Sequence, residues 1–515
     1  MKNTILIFSL LVTAYVHADA LPRYQWRGLM LDCSRHFFTT QEVKTTIDRL
    51  AELDMNVFHW HLTDGEGWRV EIKKYPLLTS TGAVRRASSK RNTTMGRDVV
   101  DGVYGPYFYT QDEMRDIVAY AAKKGVTIVP EIEFPGHSGA AVGAYPFLKC
   151  DGFWNNGEFC LGKETTFEFY TNVLEEVMAI FPGEVIHCGG DECQMNGWRK
   201  CPRCQARIKE LGLKDEHALQ GWATKRIAEY LEKRGRRLMG WDELASWDDL
   251  PRSVIVQSYR GADYGIAAAK KGFDVVMSPD TYCYLDLVQG IADDPEEYQP
   301  FGALVSVEKI AGFDPCAGVP ENCRAHILGA QGNLWTELVT DYRGVEWRIF
   351  PRLAAIAEVL KNGPAKDKSA FMKKMSDRRC DYLERGVNAA PVAPLFEVNM
   401  KPIDGAVWKT KAAEKTPRFE FAKMLDNPLD FSVFEFSLTN KVDRYRKVYA
   451  TWDKTIADDG YYLKLSWDEI SARASTTNGF NAVLRQLRHL ARRKPNGVLE
   501  FDGGEVYRKI VADEK

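Results

Sequence analysis

Between Gly28 and Gly332 the chain repeats one pattern eight times: a short apolar run, a polar turn and, in most cases, an amphipathic helical stretch. Strand-like runs are expected at 28–33, 56–62, 127–134, 185–189, 237–241, 253–258, 273–278 and 325–332. Most are nearly continuous in apolar residues, as in sheets covered on both faces. Helical stretches fall at 42–53, 112–124, 165–181, 216–234, 264–271 and 344–360. The first two open on capping boxes, Thr39-x-x-Glu42 and Thr110-x-x-Glu113, and Gly125, Pro182-Gly183 and Gly235 stop three of them. Eight strand–helix units predict an α/β fold, a closed (β/α)8 TIM barrel, followed by a small C-terminal α/β or α+β domain.

The flanks set the expected organisation. Lys2, the apolar run 5–16 and the small-residue sites Val16-His17-Ala18 or Ala18-Asp19-Ala20 read as a signal peptide over 1–20. That run is too short to span a bilayer. Export to the periplasm or medium is expected, with no membrane anchor once the leader is removed. The catalytic barrel is assigned to 21–362, and a helix (369–385) with linker to 363–400. A smaller domain is assigned to 401–515. In it, 419–426 and 431–438 read as strand-like, 461–474 as a hairpin, 481–493 as an amphipathic helix and 497–511 as a strand pair. A net charge of −2 over 515 residues gives no electrostatic footprint for nucleic acid.

Eleven cysteines fit a disulfide-permissive compartment. Cys150/Cys160 and Cys316/Cys323 close short loops and are expected bridges. Cys201-Pro202-Arg203-Cys204, with Cys193 upstream, has half of a zinc site. A lone CxxC lacks its second ligand pair, so a disulfide or free thiols are expected there, with no metal and no cofactor.

Polar and aromatic residues cluster just after the expected strands: Asp32, Arg35, Asp64, Glu133, His137, Asp191, Glu192, Trp241, Asp242, Tyr284, Asp286, Trp335 and Glu337. In a barrel these ends converge on one rim, where the chemistry of the fold sits. The centre is His187-Cys188-Gly189-Gly190-Asp191-Glu192, a carboxylate pair beside two glycines. Many glycosidases work with two carboxyl groups flanking the scissile bond. Adjacent strand residues point to opposite sides, so Asp191 and Glu192 are poorly placed to act as nucleophile and acid on one carbon. Glu192 suits protonation of a glycosidic oxygen, and Asp191 suits holding a polar group of a substrate that brings its own nucleophile. Trp222, Trp241 and Trp335 are candidate walls for a sugar ring. Two other classes stand beside this reading: a non-catalytic sugar-binding protein on a degenerate barrel, and a zinc hydrolase built on His59, His61 and the CxxC.

The ordered motifs carry a resemblance. They are Arg27–Phe37 (RGLMLDCSRHF), Phe58–Asp64 (FHWHLTD), Pro135-Gly136-His137, His187–Glu192 (HCGGDE), Gly240–Glu243 (GWDE), Tyr284-Leu285-Asp286 and Gln331–Glu337 (QGNLWTE). Together they resemble the β-N-acetylhexosaminidases of glycoside hydrolase family 20 over the whole expected barrel. The resemblance implies release of terminal β-linked N-acetylhexosamine from a glycan, with retention, the substrate's 2-acetamido oxygen attacking its own C1 to form an oxazolinium ion. It implies that Asp191 orients the acetamide, Tyr284 hydrogen-bonds its oxygen, and Glu192 is acid and then base. It assigns a carboxylate–histidine relay to Asp64 and His137. Arg35, Asp286 and Glu337 are implied as partners of sugar hydroxyls, and Trp222, Trp241 and Trp335 as the lining of the acetamide and ring. The chain departs from the family pattern in three places. Gly65-Glu66 stand where many relatives carry Asp-Gln. The usual small α/β domain does not precede the barrel. The hairpin–helix–strand order of the tail resembles that domain moved to the C-terminus, a circular permutation; an unrelated cap or sugar-binding module is the equal alternative.

Overall fold

The computed structural model describes residues 24–85, 103–151, 157–289 and 304–392, and beyond them the backbone of short strands between 397 and 508. Eight parallel strands close into a barrel: β1 (Trp26–Asp32), β2 (Val57–His61), β3 (Thr127–Glu131), β4 (Val185–His187), β5 (Arg237–Trp241), β6 (Ile255–Ser258), β7 (Asp274–Met277) and β8 (Ile327–Leu334). Their order around the barrel is sequential, with β8 pairing β1 through Trp26↔Gly329 to Leu31↔Leu334.

Side-chain alternation builds the interior. In β2, Phe58 and Trp60 join the large core under the helices, while Val57 joins the lumen. The lumen is layered. At its N-terminal end Trp26, Val57, Val129, Met239, Ile255 and Val276 form an apolar plug. Above it lies a fully buried polar layer that includes His59, His61, Glu131, His187 and Gln331. The strands' C-terminal ends open on a pocket above that layer.

Around the barrel run α1 (Thr40–Glu52), α2 (Gln111–Lys123), α3 (Glu164–Ile180), α4 (Glu216–Glu232) and α5 (Ala262–Lys270). The capping boxes at Thr39 and Thr110 are both formed, each threonine accepting from the backbone N–H three residues on. Each such cap is worth about 1 kcal/mol. The ring of helices is not uniform. Only the 3-10 turn Asp242–Ser246 separates β5 from β6, and short helices Asp280–Cys283 and Val307–Ile310 follow β7.

The single helix expected over 344–360 is instead two, α6 (Tyr342–Ile349) and α7 (Arg352–Asn362). Pro351 has no N–H to donate and drives Phe350 into an extended conformation (φ −105, ψ 137). The next helix, α8, is Lys368–Glu384. The expected Cys150/Cys160 and Cys316/Cys323 bridges are not formed, and none of the eleven cysteines is in a disulfide.

In the tail, β9 (Glu397–Pro402), β10 (Phe434–Thr439), β11 (Arg446–Trp452), β12 (Tyr461–Leu465), β13 (Glu469–Ala474) and β14 (Gly504–Arg508) form one mixed sheet in the order 9-10-11-13-12-14. The hairpin expected at 461–474 is the antiparallel pair β12–β13. The two strands within 497–511 do not pair with each other. Leu499–Glu500 pairs with Arg492–Arg493, and β14 pairs with β12. The leader at 1–20, the run at 419–426 and the helix expected at 481–493, apart from extended Arg492–Arg493, lie outside the described residues. Among the described residues no helix is long and apolar enough to cross a membrane.

Candidate active site

A cavity of about 300 Å³ opens at the C-terminal ends of the strands. Six strand ends supply its lining, five of them with Arg35 after β1, His137 after β3, Asp191 and Glu192 after β4, Tyr284 and Asp286 after β7, and Trp335 and Glu337 after β8. Tyr259, just past β6, completes it. Residues hundreds of positions apart thus meet because every strand of the barrel points the same way.

The carboxylate pair is not on a strand. β4 ends at His187, and Gly189 (φ 64), Gly190 (φ 101) and Glu192 (φ 50) turn the chain with left-handed backbone. A Cβ at Gly189 would lie 1.9 Å from Glu133 Oε2, so a larger residue here would displace that buried carboxylate and strain the left-handed backbone. Strand alternation therefore does not separate the two acids. Asp191 Oδ2 and Glu192 Oε2 lie 3.5 and 3.6 Å from the same atom, His137 Nε2. His137 also holds a left-handed backbone (φ 47). Two non-glycine residues in that region cost on the order of 1–3 kcal/mol each, a strain that clusters at functional sites.

Behind the imidazole stands Asp64, whose Oδ1 is 3.0 Å from His137 Nδ1. Asp64 Oδ2 accepts from Arg35 at 2.9 Å. Burial works against a charged His137, but the carboxylates of Asp64 and Asp191 overcome it and raise its pKa. The resting ring is thus an imidazolium. Its positive ring, 3.6 Å from the Glu192 carboxylate, holds that carboxyl below its ordinary range. Asp191 moves the other way, pushed up chiefly by burial. Burial keeps the Tyr284 phenol protonated, a hydroxyl donor facing the pocket. Asp286 is pushed up to about 7 by burial and by neighbouring Glu337.

Backbone carbonyls and buried arginines fix the far wall. Arg352, fully buried, donates to Leu285 O (2.5 Å) and Leu287 O (2.9 Å), and Arg348 donates to Asp286 O (2.5 Å). Asp32 accepts from the N–H groups of Ser34, Arg35 and Thr336, tying the β1 and β8 loops together. Arg35 meets Asp32, Asp64, Glu66 and, at 3.8 Å, Glu337. Glu66 is thus an ion-pair partner of that arginine. Two acceptors in the pocket are left open: Asp191 Oδ1 and Asp286 Oδ1 are buried and have no hydrogen-bond partner among the described residues. Such atoms are costly unless a ligand donates to them.

The aromatic wall differs from expectation. Trp241 (1% exposed) packs under the pocket, 5.7 Å from the ring of Trp335 and 5.4 Å from Tyr259, with its Nε1 donating to Glu131. Trp335 stands edge-on to Tyr284 at 6.2 Å. Trp222 is not part of this wall. It sits on α4 in the outer ring, against Phe167 of α3 at 5.3 Å and under the guanidinium of Arg207. An outer helix cannot reach the lumen through its own strand, so this assignment is corrected. Tyr259 stands in its place and was missed by sequence reasoning. The signal was available: it follows β6 directly, and Asp242 of the GWDE motif accepts from the N–H groups of Tyr259 and Arg260.

Glu131 was also missed. Its carboxylate sits in the polar layer 3.0 Å from His59 Nε2 and 2.8 Å from His187 Nδ1, and it is hydrogen-bonded to His61 Nδ1. The alternation of His59 and His61 does put both rings on one face. They converge on a buried carboxylate under the pocket, and Gln331 Nε2 occupies the remaining nitrogen of His59 at 2.9 Å. The cluster is fully buried under the floor and does not open on the pocket, and within it His59 Nε2 and His187 Nε2 have no well-aligned hydrogen-bond partner among the described residues.

Residues 24–363 match the family model described as glycosyl hydrolase family 20, catalytic domain. The chain is 40% identical over 379 residues to a beta-hexosaminidase of Porphyromonas gingivalis, covering 71% of this chain and 47% of that protein. It is 38% identical to a beta-hexosaminidase of Vibrio furnissii, covering 68% of this chain and 58% of that one. Among solved structures, the GH20 exo beta-N-acetylglucosaminidase of Vibrio harveyi, in complex with N-acetylglucosamine, superposes with a TM-score of 0.64 at 35% identity, covering 72% of this chain and 59% of that one. The chain thus spans about half to three-fifths of the length of these relatives. Eight closed strands, a rim-bound carboxylate pair and a family match across the entire barrel lead to one conclusion: this chain belongs to glycosyl hydrolase family 20.

Proposed function

We propose that the chain is an exo-acting β-N-acetylhexosaminidase, removing terminal non-reducing β-linked GlcNAc or GalNAc from a glycan with retention of configuration. One observation carries the reading: Asp191 and Glu192 issue from one wall and share His137 Nε2. The second carboxylate lies beside the acid, placed to hold an arm of the substrate rather than to attack C1 from the opposite face. The relatives' names point the same way, and the V. harveyi protein was solved with N-acetylglucosamine.

In this mechanism the acetamido oxygen attacks C1 while the C1–O bond to the leaving group breaks. Glu192 gives its proton to the departing oxygen. The oxazolinium nitrogen keeps its hydrogen and donates a hydrogen bond through it to the Asp191 carboxylate, and the Tyr284 hydroxyl donates to the acetamido oxygen. Water then attacks C1, Glu192 takes its proton, and the acetamide re-forms. Arg35, Asp286 and Glu337 bind hydroxyls at the closed end, and Trp335, Trp241 and Tyr259 bound the ring and methyl group. Asp64 orients His137. Export rests on the leader-like run 5–16 and belongs to the same proposal.

The test is stereochemical. Proton NMR of an aryl N-acetyl-β-glucosaminide digest should show the β-anomer first, and a thiazoline analogue of the oxazoline should compete with substrate. Inversion, or a trapped ester on a side chain of the protein, would sink the reading. Parallel rates on the galactosaminide give the C4 preference.

The resting charges run counter to these roles, since Glu192 is held down and Asp191 up. Substrate reverses both: the sugar dehydrates Glu192 and the amide N–H stabilises the Asp191 carboxylate. In the bound complex the alkaline limb of kcat therefore reports Glu192. His137→Gln removes the cation that favours the Glu192 carboxylate. That raises the Glu192 pKa, so the limb should move to higher pH, with kcat reduced. A limb that stays put, or moves to lower pH, would show that His137 does not control the acid.

A further inference from the structure

Away from the pocket lies a cluster that the reaction does not use. Cys150 and Cys160 follow β3, and Cys201 and Cys204 flank the start of the helix Pro202–Leu211, in the loop that follows the carboxylate pair. One sulfur from each of the four lies within 4.8 Å of the others. The recorded separations are 3.8 Å for Cys150–Cys204, 3.7 Å for Cys160–Cys201 and 3.7 Å for Cys160–Cys204. Zinc–thiolate bonds of about 2.3 Å in a tetrahedron put the sulfurs about 3.8 Å apart. A disulfide would need about 2.05 Å. All four side chains are buried.

The surroundings fit a built site. A Cβ at Gly162 would lie 2.3 Å from the backbone carbon of Arg203 and 2.5 Å from the backbone nitrogen of Cys204, so only glycine lets the two segments close on each other. Asp151, next to Cys150, is clamped by Lys163 (2.8 Å) and Arg203 (3.0 Å), one from each neighbouring segment. The chain thus supplies the second ligand pair that the CxxC lacked in sequence, from residues 41–54 positions earlier.

We propose that Cys150, Cys160, Cys201 and Cys204 bind one structural zinc ion. Four thiols lose their protons to solvent, and the metal staples the loop after β3 to the loop that carries Asp191 and Glu192. The site is closed, with four protein ligands and no position for substrate, so its role is stability rather than chemistry. It is independent of the reading of the pocket.

The experiment uses the full chain purified without chelator. Elemental analysis should find about one zinc per chain. Titration with p-hydroxymercuribenzoate, followed by a zinc-sensitive dye, should release it as about four thiols react. Cobalt substitution should give the thiolate-to-metal charge-transfer and d–d bands of a tetrahedral sulfur site. Cys201→Ser/Cys204→Ser should lose the zinc and melt lower, while Cys316→Ser keeps it. A metal-free chain overturns the proposal, whether peptide mapping without reductant finds disulfides among the four or four free thiols. Zinc retained by the double variant overturns it too. If that variant fails to fold, the mercurial titration of the wild type decides.

Discussion

Replacing Glu192 with glutamine is expected to lower kcat/KM on glycosides with sugar leaving groups by about 10²–10⁴-fold, the usual share of a general acid–base group. Glutamine keeps the shape and the contact with His137 but has no proton to give. The cost depends on the leaving group. A sugar alkoxide departs only when protonated, whereas a nitrophenolate departs unaided. The variant should therefore lose far more on a disaccharide than on a nitrophenyl glycoside, and with the latter the second step, which needs a base, becomes limiting. Steady-state rates on both substrates, with a melting curve to show the fold intact, check this. Equal losses on both, or no loss, would remove Glu192 from the acid role. The residue's setting suits proton exchange: its side chain is 66% exposed at the pocket.

Asp191→Asn should cost about 10²–10³-fold in kcat, comparable to removing a preorganised partner of transition-state charge. The contribution is electrostatic. The oxazolinium ion places positive charge on the amide nitrogen, and the Asp191 carboxylate is buried beside that position with Oδ1 unengaged. Asparagine can still accept the N–H bond but offers no charge. The loss should therefore fall on kcat, with KM changed little. Asp191→Ala should lose the orientation as well. Binding of a thiazoline analogue, which carries the same charge when protonated, should weaken in parallel with kcat. A variant that keeps kcat and loses only KM would make Asp191 a binding residue and undo the substrate-assisted reading.

Much of the site was legible because barrels put function at strand ends. Arg35, His137, Asp191, Glu192, Tyr284, Asp286, Trp335 and Glu337 all follow expected strands, and all meet at one pocket. Asp64 lies just behind them. The failures have specific causes. Trp222 looked like a sugar platform, but an aromatic on an outer helix packs against the neighbouring helix. Tyr259 was overlooked because one tyrosine after a short strand has no pattern of its own. Glu131 was hidden inside a run that reads as core, since only the closed lumen gathers three histidines around it. The alternation rule was applied to Asp191 and Glu192 where it does not hold: the strand had already ended, and both acids reach one imidazole.

The sequence by itself determined the periodic part of this protein. Alternating apolar runs, capping boxes and breakers are local, so strand number, helix positions and the rim location of the chemistry could be read from neighbours a few residues apart. Tertiary structure alone decided what depends on closure in space. The backbone turn that brings both acids to one imidazole, the buried network under the floor, the aromatic that completes the wall and the fourfold sulfur cluster each join segments tens or hundreds of residues apart. No local pattern encodes such contacts, because they exist only once the last strand pairs with the first.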